Sequence, residues 1–94
     1  MVKVIFEYDV PVEKQAEYVE VTAQKIRPFW ESNGCQSYSV WQVAESQTSF
    51  VKEMLFGDKS GMKESLASEE AETVKDIFYA FASDISRKIC VKKV

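Results

Sequence analysis

The sequence contains no histidine, and only two of its 94 residues are cysteine. Histidine is the commonest general base near neutral pH, the commonest metal ligand and the usual axial ligand of haem. Without it, carboxylates and hydroxyls are the main remaining ligands for a metal ion. We therefore expect no bound haem, no bound metal and no other cofactor.

A basic surface and a long apolar run are also missing. Lys and Arg number 12 against 15 Asp and Glu, for a net charge of −3, which argues against nucleic acid as a partner. No apolar run approaches the length of a membrane span. The first residues alternate like a strand and lack the layout of a signal peptide. The sequence therefore predicts a cytoplasmic protein that binds neither nucleic acid nor membrane.

The residues that are present are typical of one small globular domain, which we place at residues 1–94. Apolar residues make up 46% of the chain and charged residues 29%, as in ordinary globular proteins. A chain of this length buries a modest fraction of its apolar surface, so a second copy of itself would be a useful source of further burial.

The spacing of apolar residues predicts the element order β-α-β-β-α-β. Residues 2–9 alternate as a strand, and apolar residues then recur at steps of three or four from Val12 as one stripe of a long helix. Pro28 is predicted to kink or end this helix, and 33–34, Asn-Gly, to close it. One antiparallel four-stranded sheet with helices on one face, the ferredoxin-like α+β arrangement, accommodates this order.

The second half of the chain supplies the remaining strands and helices. Residues 35–57 are predicted to form a hairpin of two strands, and Asp58 to cap a short helix. Ser68 is predicted to cap the next helix, and residues 87–94 to form the fourth strand. The apolar stripe predicted for that last helix contains Ala71, Val74, Ile77, Phe78, Phe81, Ala82 and Ile85.

Cys35, at the start of the predicted second strand, admits three interpretations. A nucleophilic thiolate would need a neighbouring histidine or a basic environment, and the chain has no histidine. A disulfide with Cys90 would have to join strands on opposite edges of a sheet ordered 4-1-3-2, well beyond the ~7 Å between Cα atoms that a disulfide tolerates. We therefore interpret Cys35 as a small, partly buried residue at a turn-to-strand junction.

Lys52 and Glu53 are adjacent on the predicted third strand. Because neighbouring side chains on a strand alternate between its faces, one of the two should point at the helices or into the centre of a dimer. A buried carboxylate there could act as an acid or base, whereas a solvent-facing or paired one would be structural. Asp58 fits a helix cap better than a catalytic acid.

Two stretches, GCQSYSVWQ from Gly34 and FVKEMLFGDKSGMKESLAS from Phe50, resemble the antibiotic-biosynthesis-monooxygenase-like group of the dimeric α+β barrel superfamily. Its Gly-Cys-x-x-Tyr pattern is matched at the second strand, and its short helix after the third. The matching residues are Gly34, Cys35, Ser37, Tyr38, Asp58, Leu66 and Ser68. The resemblance implies a homodimeric α+β barrel.

The chain departs from this group at three positions. Met54 stands where the group often has Glu, Phe56 where it often has Trp, and Ser65 where it often has His. Haem degradation, which some relatives perform, needs an axial histidine that this chain cannot supply. A cofactor-independent monooxygenase is compatible with the residues, because such chemistry depends mainly on a substrate that itself activates oxygen.

Two hypotheses for the function follow. The first is a monooxygenase-like enzyme that binds a hydrophobic aromatic small molecule between sheet and helices, without haem or metal. The second is a non-catalytic dimeric domain for small-molecule binding or assembly, in which the aromatic rings only fill the core and the dimer interface. The homodimer would form through the open faces of the sheets. The residues expected to line the pocket are Phe6, Tyr8, Tyr38, Phe56 and Phe78.

Overall fold

Four antiparallel strands form one sheet in the order β2-β3-β1-β4 in the computed structural model, which describes residues 1–94. The strands are β1 (Val2–Asp9), β2 (Ser37–Gln42), β3 (Ser49–Phe56) and β4 (Ser83–Val91). A short 3₁₀ turn at Val12–Lys14 precedes α1 (Gln15–Val21), a π-helical segment (Thr22–Ile26) and α2 (Arg27–Ser32). After the hairpin come α3 (Lys59–Ala67) and α4 (Ala71–Phe81). The predicted ferredoxin-like α+β fold is confirmed.

The strand pairing determines which side chains lie under the helices. Val4 of β1 pairs with Met54 of β3 and with Ile89 of β4, and directly paired residues point to the same face. On β1 the buried helix-facing row is Val2, Val4, Phe6 and Tyr8, and on β3 it is Phe50, Lys52, Met54 and Phe56.

The opposite face of the sheet mixes apolar and charged residues. Partly buried Ile5 and Leu55 lie there, together with Trp41, which is 61% exposed. Lys3 and Glu53 form an ion pair across β1 and β3, with 3.2 Å between Lys3 Nζ and Glu53 Oε1. Glu53 therefore points away from the helices, and Lys52 points toward them.

The helical segment before β2 does not end at Pro28. Pro28 lies in the first turn of α2, and the chain stays helical as far as Ser32. Pro28 has no N–H to donate to the carbonyl of Gln24, which lies inside the π-helical segment. The irregularity expected of the proline therefore occurs one turn before it. The predicted closure is confirmed, since the segment ends at Asn33 and Gly34 has a φ of 102°.

The predictions for the second half of the chain are partly right. Asp58 caps α3 as expected, because its Oδ1 accepts a hydrogen bond of 2.7 Å from the Gly61 N–H. The Ser68 cap was wrong: the Ser68 hydroxyl donates to the Ser65 carbonyl, and α4 begins only at Ala71.

The predicted start of the fourth strand, at residue 87, was also wrong. Ala82 is extended and ends α4, and β4 begins at Ser83, opposite Asp9 of β1. Ile85 therefore belongs to β4, not to the apolar stripe of the last helix. β4 ends at Val91. It pairs with β1 along nearly its whole length, and this pairing determines where β4 begins and ends. None of the helices is long and apolar enough to cross a membrane.

Candidate functional site

Lys52 is the one charged residue in the helix-facing row of β3. It lies between Phe50 and Met54 in that row and is only 4% exposed. Its Nζ is 3.5 Å from the centre of the Phe78 ring and 4.1 Å from that of Phe6. No carboxylate or carbonyl hydrogen-bonds it. A buried amine without a polar partner is uncommon, because removing an ammonium group from water is costly.

This burial changes the acid–base chemistry of Lys52. Desolvation disfavours the charged form and lowers the pKa of Lys52 from 10.5 to about 7. The faces of Phe6 and Phe78 attract the ammonium and offset part of that effect. A substantial fraction of the side chain is therefore a neutral amine near neutral pH, able to accept a proton or attack an electrophile.

Lys52 lines a cavity of about 310 Å³ between the sheet and α4. A volume of this order is at the small end of ligand pockets in proteins. No acidic residue lines it, and two further cations do, Lys75 of α4 and Arg87 of β4. We call it the lysine cavity. Its apolar wall consists of Phe6, Trp30, Met54, Leu66, Val74, Phe78, Tyr79 and Ile85.

The two other cations differ in how they are held. Lys75 Nζ donates to the Leu66 carbonyl and lies 3.7 Å from Glu72 Oε1, so its position is fixed and its charge partly compensated. Arg87 is exposed on β4 and forms no ion pair. The lysine cavity therefore presents positive charge to a ligand, which favours an anionic or ionisable one.

A larger cavity, of about 560 Å³, lies between the helical segment that begins at α1 and the edge strand β2. It is wider and more open to solvent, and it is lined by Thr22 and Tyr38, whose hydroxyl oxygens are buried and have no hydrogen-bond partner. Burial raises the pKa of the Tyr38 phenol, so this hydroxyl stays neutral and can serve only as a hydrogen-bonding group near neutral pH. Because Lys52 is a buried amine that opens onto the lysine cavity, we take that cavity as the candidate site in spite of its smaller size.

The structure divides the five predicted pocket residues among different surroundings. Phe6 and Phe78 line the lysine cavity. Tyr38 lines the larger cavity, although its ring centre is 5.8 Å from Lys52 Nζ. Tyr8 and Phe56 line neither cavity and are almost fully buried.

Tyr8 has a hydrogen-bond partner within the fold. Its hydroxyl lies 2.6 Å from the Tyr18 hydroxyl, and its ring meets Phe78 edge to face with 4.9 Å between ring centres. Burial, followed by the nearby Tyr18, raises the pKa of Tyr8 well above its ordinary value. The pair ties α1 to the centre of the sheet.

Cys35 and Ser65 are also structural. Cys35 is buried just before β2, its Sγ donates to the Ser37 carbonyl, and burial raises the pKa of the thiol, so little thiolate forms. Both cysteines are free, Cys35 just before β2 and Cys90 in β4, the strands at opposite edges of the sheet. Ser65 donates a 2.7 Å hydrogen bond to the Asn33 carbonyl, which fastens α3 to the turn before β2.

The sequence contains a signal for Lys52. Taking every second residue of FVKEMLF gives Phe50, Lys52, Met54 and Phe56, an apolar row that one lysine interrupts. The prediction that either Lys52 or Glu53 faces the helices is confirmed, and the residue that does so is the lysine, not the carboxylate. No group of three or more His, Cys, Asp or Glu side chains in the structure could hold a metal ion.

The fold is a ferredoxin-like α+β fold, with a lysine-lined cavity between sheet and helices. The sequence profile of antibiotic biosynthesis monooxygenases matches residues 1–77, and the chain belongs to that family.

Solved structures with this fold span nearly the whole chain. SnoaB, a cofactor-independent oxygenase from Streptomyces nogalater, superposes with a TM-score of 0.83 at 14% identity, over 99% of this chain and 93% of that one. A putative antibiotic biosynthesis monooxygenase from Deinococcus radiodurans gives 0.81 at 15% identity, over 100% and 94%. An ethyl tert-butyl ether d family protein from Bacillus halodurans gives 0.76 at 22% identity, over 99% of each chain. A search of the curated proteins finds no match in sequence.

Proposed function

We propose that this protein is a cofactor-independent oxygenase that oxidises a small, electron-rich phenol or enol in the lysine cavity. Membership of the monooxygenase family supports the class of reaction. The observation that carries the proposal is Lys52, a buried amine facing an apolar cavity with a pKa of about 7. A general base is most effective when its pKa lies near the working pH.

In the proposed reaction, neutral Lys52 accepts the proton of a phenol. The phenolate that forms is stabilised by the Lys52 ammonium and by the charge of Arg87 and Lys75, which face the same cavity. The ring then reduces O₂ directly: the carbon para to the hydroxyl loses its hydrogen and gains one oxygen atom as a quinone carbonyl. The second oxygen atom leaves as water, so the substrate supplies all four electrons and no other reductant is needed.

The size and composition of the cavity support a ligand of one or two aromatic rings. Phe6, Phe78 and Trp30 offer ring faces and edges, so most of the binding free energy would come from burial of apolar area. The ionised oxygen would set the orientation.

We also propose that residues 1–94 form one domain, and that two copies associate through the open faces of their sheets. Ile5, Leu55 and the exposed Trp41 supply apolar area there, whereas Lys3 and Glu53 would need partners across such an interface. The two free cysteines fit a reducing compartment such as the cytoplasm.

Oxygen consumption with 1,5-dihydroxynaphthalene tests the reaction, because this two-ring phenol can be oxidised to 5-hydroxy-1,4-naphthoquinone and water. We expect the protein to accelerate oxygen uptake and quinone formation, and we expect Lys52→Met to remove most of the acceleration. The matched control is Lys63→Met, which changes an exposed lysine of α3 and should leave the rate unchanged.

Binding is measured in parallel through quenching of tryptophan fluorescence in Trp41→Phe, in which the only tryptophan is Trp30, which lines the cavity and is almost fully buried. Binding without any accelerated uptake would refute the oxygenase and leave the non-catalytic ligand-binding domain. Equal rates for the wild type and Lys52→Met would refute the role of Lys52 as the base.

A further inference from the structure

The Lys52 amine combines three properties that a nucleophilic lysine requires. It has no hydrogen-bond or ion-pair partner, its surroundings are apolar, and it opens onto a cavity with room for a ligand. Its backbone lies in β3, which pairs with β2 on one side and with β1 on the other, so the amine is held on a rigid part of the fold. A general base only exchanges a proton with its ligand. An amine with these three properties can in addition form a covalent bond to the ligand.

We propose that Lys52 forms a reversible imine with small aromatic aldehydes that enter the lysine cavity. The nitrogen lone pair attacks the carbonyl carbon, and the C–O π bond breaks to give a carbinolamine. The carbonyl oxygen then leaves as water with the two hydrogens of the amine, and a C=N bond remains. No oxidant or reductant takes part, and hydrolysis reverses the reaction.

The surroundings favour this condensation at Lys52 over the other lysines. Phe78 and Phe6 lie 3.5 and 4.1 Å from Nζ at their ring centres and can pack against an aromatic ring joined to it. Only neutral amines attack carbonyls, and burial lowers the pKa of Lys52 to about 7. An exposed lysine of ordinary pKa is about 1,000-fold less often neutral at the same pH.

The charged groups around the cavity select among aldehydes. Lys75 from α4 and Arg87 from β4 face the site, while Glu53, the carboxylate beside Lys52 in sequence, points to the opposite face of the sheet. Positive charge without a facing carboxylate disfavours a protonated imine and favours aldehydes that carry a phenol or another acidic group. This activity goes beyond the proposed oxygenase, because it consumes no oxygen and does not depend on it.

Reductive trapping of the imine tests the proposal. The wild type is incubated near neutral pH, without oxygen, with 2-naphthaldehyde, samples are quenched at intervals with borohydride, which reduces neutral and protonated imines alike, and the labelled residue is located by peptide mass spectrometry. We expect one equivalent of label at Lys52, with a rate that saturates as the aldehyde concentration rises, because binding in the cavity precedes reaction. The α-amino group of Met1, which does not line the cavity, serves as an internal reference whose labelling should not saturate.

Two variants and one competitor separate site chemistry from general lysine reactivity. Lys52→Arg retains a cation without a primary amine and should abolish the saturable label, whereas Lys63→Met should not affect it. An excess of 1,5-dimethoxynaphthalene, which fills the cavity but cannot react, should slow labelling of Lys52 and leave Met1 unaffected. Circular dichroism establishes that each variant is folded.

The proposal would be overturned if Lys52 were labelled no faster than the exposed lysines, or if its labelling rose linearly with aldehyde and ignored the competitor. The result is independent of the oxygen assay. Saturable label at Lys52 without oxygen uptake would leave the imine standing and remove the oxygenase, and uptake without label would do the reverse.

Discussion

Replacing Lys52 by methionine should stabilise the protein, and the gain should depend on pH. Methionine has a similar length, suits the apolar row of β3 and can contact the rings of Phe6 and Phe78. The replacement removes an amine whose pKa falls from 10.5 in the unfolded chain to about 7 in the native protein. Between these two values the unfolded chain binds more protons than the native one, so the stability of the wild type increases with pH.

The magnitude follows from the shift in pKa. Each pKa unit corresponds to about 1.4 kcal/mol, so ionisation of Lys52 costs the native state up to about 4 kcal/mol near pH 7. Attraction between the ammonium and the two rings offsets about 2 kcal/mol at most, which leaves a cost of about 2–4 kcal/mol. By about pH 9 the cost falls by half, and it disappears above the ordinary lysine pKa of about 10.4.

Urea denaturation of the wild type and Lys52→Met, followed by circular dichroism at several pH values, measures this difference. The advantage of the variant should shrink by about 1–2 kcal/mol between pH 7 and pH 9. Lys63→Met, at an exposed position on α3, should show neither a gain nor a pH dependence. An advantage that stays constant with pH would mean that the amine reaches water, and the argument for Lys52 as a base near neutral pH would then fail.

Three further predictions address other parts of the structure. Tyr8→Phe removes the hydrogen bond to Tyr18 and should lower the free energy of unfolding by about 1–3 kcal/mol in urea denaturation; no loss would mean that Tyr18 finds another partner. A thiol reagent such as Ellman's should modify buried Cys35 only after denaturation, and fast modification of Cys35 in the native protein would place it at the surface. Light scattering at micromolar concentration should find a dimer that Leu55→Lys, on the open face, weakens, and a wild-type monomer would refute the proposed association.

The sequence was sufficient to predict the fold, because apolar periodicity identifies each strand and helix without knowledge of its partners. The prediction from sequence failed where the pairing of strands, and not the apolar pattern, determines the structure. The first residues of β4, from Ser83, carry no apolar alternation, and only their pairing with β1 makes them a strand. The helix-cap prediction failed at Ser68 for a similar reason, because the hydroxyl bonds backward to the end of α3.

The candidate site was harder to predict than the fold. Phe6, Tyr8 and Phe56 all belong to helix-facing rows, yet only Phe6 lines the lysine cavity, because the shape of a cavity depends on how side chains from several elements fill the space between them. The identity of the reactive group was within reach of the sequence, since Lys52 interrupts an otherwise apolar row. The absence of a polar partner for Lys52 could not be predicted from the sequence, because it depends on the positions of α4 and β4.

The balance between stability and chemistry makes Lys52 informative about function. A buried amine with no partner lowers the stability of the native state, and methionine in the same row would not. Such a group provides neither an ion pair nor a hydrogen bond in return. What the position does provide is a reactive amine that is partly neutral near neutral pH and is held against an apolar cavity. Groups that weaken a fold in this way are concentrated at functional sites, because the environment that makes them costly also makes them reactive.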